Sequence, residues 1–336
     1  MRKFLRFRVL IGAILIIGLV VVPLVYLKNR KLVQKLVGTN IVVYVMEKRE
    51  CVEPLFRAFE KNTKAHILAT YFTSQKELID RLQSEKSAPK ADLVLANDAS
   101  LLEELQKKGL LQPHYSRQSR DIRVIFRDKK LYWQGFMGRP WVIAYNTQAI
   151  YSYQAPKSIF EMSLPQWNGQ SAFPDPSIRP MASYDAALKN VLGKTNAELF
   201  IARACTNGSA VYPDSASVVK AIANKSRIWG IAEVDDVIDA ARAGHPVAWI
   251  IPDQNPLLPK QDLGAMLLVS GIAIPAKAPH IEAAKTLYEF ILSPKRAKLI
   301  EASAYTRLTL HMAAELDKRA LKRPILMNVH YEKTAR

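Results

Sequence analysis

From residue 40 onward, apolar runs of strand length and amphipathic segments with helical spacing take turns, and that alternation most narrows what the chain can fold into. Asn40–Val45 (NIVVYV) is apolar and β-branched, as a strand requires. Residues 51–62 (CVEPLFRAFEKN) place Val52, Leu55, Phe56 and Phe59 on one helical face. Residues 65–72 predict a second strand, 76–85 a helix, 91–96 (ADLVLA) a third strand, and 100–108 (SLLEELQKK) a helix stopped by Gly109. Further on, residues 141–145, 246–251 and 267–274 read as strands. Residues 183–192, 197–204, 217–223, 235–243 and 281–292 read as helices, and 310–321 is helix-prone before a basic end. Such alternation implies a mainly parallel sheet covered on both faces, with ligands at the carboxyl ends of the strands. At roughly 100 to 200 residues per domain, the 336 residues suggest two lobes.

Charge is concentrated at the amino end. The chain carries 48 Lys and Arg against 30 Asp and Glu, a net +18. Residues 1–46 hold Arg2, Lys3, Arg6, Arg8, Lys28, Arg30, Lys31 and Lys35 and no acid. Elsewhere Lys and Arg recur singly among acids, which argues against a nucleic-acid partner. Residues 9–27 (VLIGAILIIGLVVVPLVYL) are uncharged; at about 1.5 Å per residue they match a hydrocarbon core of about 30 Å. The run leads into Tyr26-Leu27-Lys28-Asn29-Arg30 without a small-x-small cleavage site. It is expected to be a transmembrane anchor or uncleaved signal, with the large domain exported.

Catalytic signatures are missing. Leu192-Gly193-Lys194-Thr195 resembles the end of a phosphate-binding loop, but the position that needs glycine is Leu188. The sequence has no HExxH, GxSxG or GxGxxG pattern. Its six histidines are scattered singly, and Cys51 and Cys205 form no CxxC, which excludes a thiolate zinc site or a CxxC redox motif. No enzyme is expected.

Taken in order, VVYVMEKRECVEPLFRAFEKNT, PKADLVLANDASLLEELQKKGLL, WVIAYNT, PQWNG, GHPVAWIIPDQ and PHIEAAKTLYEFILSPKRAKLI resemble successive blocks of the periplasmic solute-binding proteins of ABC importers, in the iron-binding subgroup. The similarity runs over residues 41–305. It implies an α/β, two-lobed type II periplasmic-binding-protein fold, each lobe a mixed, mainly parallel sheet flanked by helices, here behind the amino-terminal transmembrane helix. It also implies a ligand in the cleft between the lobes, closure by hinge motion, and delivery to an ABC permease and its ATPase. On this reading residues 1–8 are a basic leader, 9–27 the anchor and 28–39 a basic connector. Residues 40–138 with 255–305 form lobe 1, 139–254 lobe 2, and 306–336 a helical basic tail. The protein is expected to be a monomer without cofactor, iron being cargo.

In such a fold the loops after strands turn helix amino termini toward the cleft. The candidate ligand-binding residues there are Glu47, Lys48, Arg49, Asn97, Asp98, Asp175, Arg179, Ser215, Ser217, Asp235 and Asp236. Asp98 is expected to cap the following helix first. Iron-binding members carry adjacent tyrosines in the second lobe; the comparable stretch here, residues 228–236 (IWGIAEVDD), has none. Carboxylates can replace phenolates as oxygen donors, making Glu47, Glu233, Asp235 and Asp236 metal candidates. Lys48, Arg49 and Arg179 could equally hold a phosphorylated or carboxylated solute. Ferric iron or an iron chelate is favoured by the resemblance alone. A membrane-anchored enzyme or a receptor that no longer carries solute remain alternatives on the same fold.

Overall fold

The computed structural model describes residues 36–178, 180–254, 263–303, 307–312 and 324–331. β1 (Asn40–Val45), α1 (Arg49–Thr63), β2 (His66–Tyr71), α2 (Gln75–Ser84), β3 (Leu93–Ala96) and α3 (Ala99–Lys107) are the alternating units expected from the pattern, followed by β4 (Leu111–Gln112). α1 shows why the pattern was readable. Val52, Leu55, Phe56 and Phe59 are its buried face, each contributing about 1.5–3 kcal/mol relative to exposure. Phe59 meets Phe290 edge-on at 5.2 Å. Ser74 and Asp98 cap α2 and α3 by accepting the backbone N–H groups of Glu77 and Ser100.

β5 (Trp133–Asn146) runs fourteen residues, all of them buried. Only its second part was expected, because Gly135, Gly138, Arg139 and Pro140 break the apolar run that precedes it. The strand persists there for packing reasons. A Cβ at Gly135 would lie 2.7 Å from Val269 Cγ1 and 2.9 Å from Phe126 O, so the glycine lets neighbouring chains approach.

The chain continues through β6 (Ser171–Pro174), α4 (Met181–Leu192), α5 (Lys194–Thr206), β7 (Ala210–Tyr212), α6 (Ser215–Ala223), β8 (Trp229–Glu233), α7 (Val234–Arg242) and β9 (Val247–Ile250). It closes with β10 (Leu267–Pro275), α8 (Ile281–Ile291), α9 (Ala297–Ser303) and β11 (Leu308–Thr309). The strand order is β2-β1-β3-β10-β5-β8-β6-β7, with β4 on β10 and both β9 and β11 on β5. β1 pairs parallel with β2 and β3, and β6 parallel with β7 and β8, whereas every pairing of β5 is antiparallel.

β5 belongs to both halves. Through Pro140 it pairs with β10; from Trp141 it pairs with β8, and from Ile143 also with β9. The lobes therefore meet within one continuous strand, two residues beyond the expected boundary at 138/139. A separate core of Val142, Ala172, Val218, Ile222, Val234 and Val237 fixes α6 and α7 to the second-lobe sheet.

The expected helical tail is corrected in part. Leu308 and Thr309 form a strand on Gly138 and Met137, and His311 bridges Ile122. Leu310, Met327, Val329 and Tyr331 are buried, so apolar burial against lobe 1 outweighs local helix propensity. Residues 313–323 lie outside the described set, as do 1–35 with the apolar run 9–27. Among the described residues no helix is long and apolar enough to cross a membrane.

Candidate functional site

Charged side chains from both lobes meet where β1, β3 and β8 end. Glu47 follows β1 and its side chain is 1% exposed. Its carboxylate accepts the Ser270 hydroxyl of β10 and stands 3.7 Å from Arg139 Nη1. Arg139 lies opposite Leu268 in the first-lobe half of β5. Its Nε donates to Glu233 Oε2 at 2.6 Å, and its Nη1 donates to Asn97 O at 3.1 Å.

A second guanidinium enters from the segment before β11. Arg307 Nη1 donates to both Asp235 carboxylate oxygens, at 2.7 and 2.8 Å, and Nη2 donates to Glu47 Oε2 at 3.3 Å. Lys48 stands at the rim, 3.0 Å from Asp239 Oδ2 and 3.7 Å from Asp235 Oδ2. Lobe 1 thus contributes Lys48, Arg139 and Arg307 with Glu47, and lobe 2 contributes Glu233, Asp235 and Asp239. The walls of the cleft carry opposite charge, and the rim pair, being half exposed, adds little.

The field of these cations is visible in the acids. Burial pushes the Asp235 carboxyl up, but Arg307, Arg139 and Lys48 outweigh it and hold its pKa down to about 2. Burial also opposes the charge on Arg307, yet Glu47 and Asp235 raise its pKa further. Asp236, one residue on, behaves differently. Burial raises its pKa to about 6, with Glu233 and Asp235 adding repulsion against a hydrogen bond to Ser215.

The expected site residues divide accordingly. Glu47, Lys48, Glu233 and Asp235 are brought together, and Asn97 joins through its carbonyl; its buried Oδ1 has no hydrogen-bond partner among the described residues. Asp98 caps α3 and also reaches lobe 2, since Ser183 of α4 donates to its Oδ2 at 2.6 Å. Ser215 accepts the Glu233 N–H at 2.8 Å and so holds the end of β8. Arg49 points away from the cluster, with its guanidinium stacked 4.0 Å over Tyr71 and paired with Glu53. Asp175 is spent on its own turn, accepting the Ser177 N–H at 2.7 Å. The Ser217 N–H is the group that Asp214 caps. Asp236 faces a groove of about 510 Å³ shared with Lys220, Asp239 and His245. Arg179 lies outside the described residues.

Among the described residues, no group of three or more His, Cys, Asp or Glu could hold a metal ion. Glu47, Glu233 and Asp235 are instead neutralised by arginines. Three of the six histidines serve the frame: His114 pairs with Glu289, His280 with Asp92 and His311 with Asp121. Sequence reasoning missed Arg139 and Arg307. Arg139 left a signal, because a lone cation in an otherwise apolar strand needs a buried acid beside it; Arg307 left none.

Two α/β lobes sharing a strand, with polar side chains from each facing the other, define the two-lobed architecture of a ligand receptor. Residues 41–306 match the model of the bacterial extracellular solute-binding proteins, and the chain belongs to that family. A Fe(3+)-binding periplasmic protein of Serratia marcescens is 23% identical over 269 residues, covering 79% of this chain and 77% of that protein. The structure is similar to that of Trichodesmium IdiA (FutA) in complex with iron and citrate ligands, with TM-score 0.76 and 22% identity over 88% of this chain and 94% of that one. It is also similar to AfuA of Actinobacillus pleuropneumoniae with exogenous fructose-6-phosphate bound, with TM-score 0.68 and 17% identity over 88% and 94% of the two chains.

Proposed function

We propose that this chain is the solute-binding component of an ABC importer and takes iron as a chelate bearing carboxylate groups. The observation that carries this reading is the opposed charge of the two cleft walls. A ferric chelate presents a highly charged metal and anionic oxygens in one solute. The cations Lys48, Arg139 and Arg307 suit its carboxylates, and Glu233 and Asp235 suit the side where metal charge is left uncovered. Iron is favoured by the Serratia and Trichodesmium relatives. The chelate rather than the bare ion is favoured because residues 228–236 carry no tyrosine pair and the cleft sets cations beside its acids, a match for a solute that bears both signs of charge. The apolar run 9–27 would tether the receptor on the extracytoplasmic side, beside its permease. The basic connector would then lie on acidic headgroups at about 1 kcal/mol per charge.

A second reading is a phosphorylated organic anion held by the same three cations, favoured by the likeness to AfuA, whose structure holds fructose-6-phosphate. Native mass spectrometry with elemental analysis separates the two. The full chain, incubated in turn with ferric citrate, ferric ion alone and a hexose phosphate, is expected to retain one iron with citrate and to lose it in Lys48→Ala. Retention of iron alone at one per chain would overturn the chelate reading, and retention of only the hexose phosphate would establish the second.

A further inference from the structure

The two buried guanidiniums each bond to groups of both lobes. Arg307 is anchored to lobe 1, since the next two residues pair with Gly138 and Met137 of β5. Its Nη1 nevertheless donates to both carboxylate oxygens of Asp235 in the first turn of α7 in lobe 2, while Nη2 reaches Glu47 of lobe 1. The Arg307 side chain is 2% exposed and Asp235 7%. Arg139 repeats the arrangement, tying the Asn97 carbonyl of lobe 1 to Glu233 of lobe 2. The Asp98–Ser183 hydrogen bond closes a third point between the lobes.

We propose that Arg307 is an internal ligand of the cleft: it occupies the position between Glu47 and Asp235, closes the lobes before any solute arrives, and must be displaced for the solute to enter. The closed pairing offsets the desolvation of its charges by placing one guanidinium between two carboxylates, Nη1 on both oxygens of Asp235 and Nη2 on Glu47. Opening returns every member of the network to water, which offsets part of the closed pairing, and added salt favours the open state in which those charges are exposed. A receptor built this way binds solute with an apparent affinity scaled by its open fraction. The proposal extends the receptor reading but is tested without any solute, so its failure leaves that reading standing.

The test is the distance between lobes in the full chain, held in detergent and measured by pulsed electron spin resonance. One spin label sits on the exposed Cys205 of α5 and the other on Lys61→Cys of α1; Cys51 is buried and escapes labelling. The solute-free protein at low salt is expected to give one narrow, short distance. Arg307→Gln and Asp235→Asn, made separately, should each add a longer-distance population. A long, broad distribution in the solute-free wild type would overturn the proposal, as would an unchanged short distance in both variants with native circular dichroism. Should neither variant fold, the wild type decides. On raising salt to about 1 M, where the Debye length is about 3 Å, growth of the long-distance population supports the internal ligand, and a flat response overturns it.

Discussion

Arg139 Nε lies 2.6 Å from Glu233 Oε2, which ties the crossing strand β5 to the end of β8, both residues being largely buried. The pair fixes the point at which the lobes share charge, and most of what can be tested about this protein follows from charges held out of water.

Truncating Arg139 should be costly. Arg139→Ala leaves Glu233 and the deeply buried Glu47 without that cation, and breaking one side of a buried pair costs about 3–5 kcal/mol. Urea unfolding of the variant should show an unfolding free energy lowered by that amount, with the midpoint shifted down accordingly. Adding Glu233→Gln should recover part of the loss, because the stranded charge is then gone.

Asp236 predicts a dependence on pH of definite sign. Its folded pKa of about 6 exceeds the ordinary aspartate value of 3.8, so the folded state keeps a proton that the unfolded chain releases. Its contribution to stability is present below the unfolded value and is lost as pH rises through about 6. Asp236→Asn should therefore leave stability unchanged near pH 3 and raise it by about 1–2 kcal/mol at pH 7, after discounting for partial exposure. Asp235 has the opposite sign. Its stabilising charge is present above the unfolded value and fades as pH falls toward about 2. A stability profile peaking at the same pH in wild type and Asp236→Asn would contradict the assignment.

The two thiols should report different events. Cys205 is exposed and Cys51 buried, the latter with its pKa pushed up to about 12 by burial. A thiol reagent at pH 8 should titrate one group at once, and the second only at the rate of unfolding, since the thiolate is the reactive form. Two fast thiols in the folded protein would be incompatible with the packing of α1.

The repeating units were legible because their signals are local. Val52, Leu55, Phe56 and Phe59 advertise a helix whatever they pack against, and Asp98 advertises a cap that the structure supplies at Ser100. The first half of β5 was hidden because Gly135 and Gly138 read as breaks until the neighbouring chains are known. β8 was hidden likewise, since Gly230 looks like a turn residue, yet a Cβ there would sit 2.4 Å from Ala172 O. In the cleft, Glu47, Lys48, Glu233 and Asp235 could be proposed from loops that follow strands. Arg307 could not, because it reaches the cleft only through the pairing of Leu308 and Thr309 with β5, a contact between segments some 170 residues apart in the chain.

The undivided β5 has a mechanical meaning. Lobes joined by slack linkers can drift and re-dock in many orientations, whereas lobes sharing a pleated ribbon move by twisting it, and the ribbon's ladder on each side prescribes the axis. Pro140, which brings no N–H to that ladder, stands at the changeover from β10 to β8. Whatever rearrangement the lobes undergo, the ladder hydrogen bonds of β5 to β10 on one side and to β8 and β9 on the other keep them in register through the shared strand.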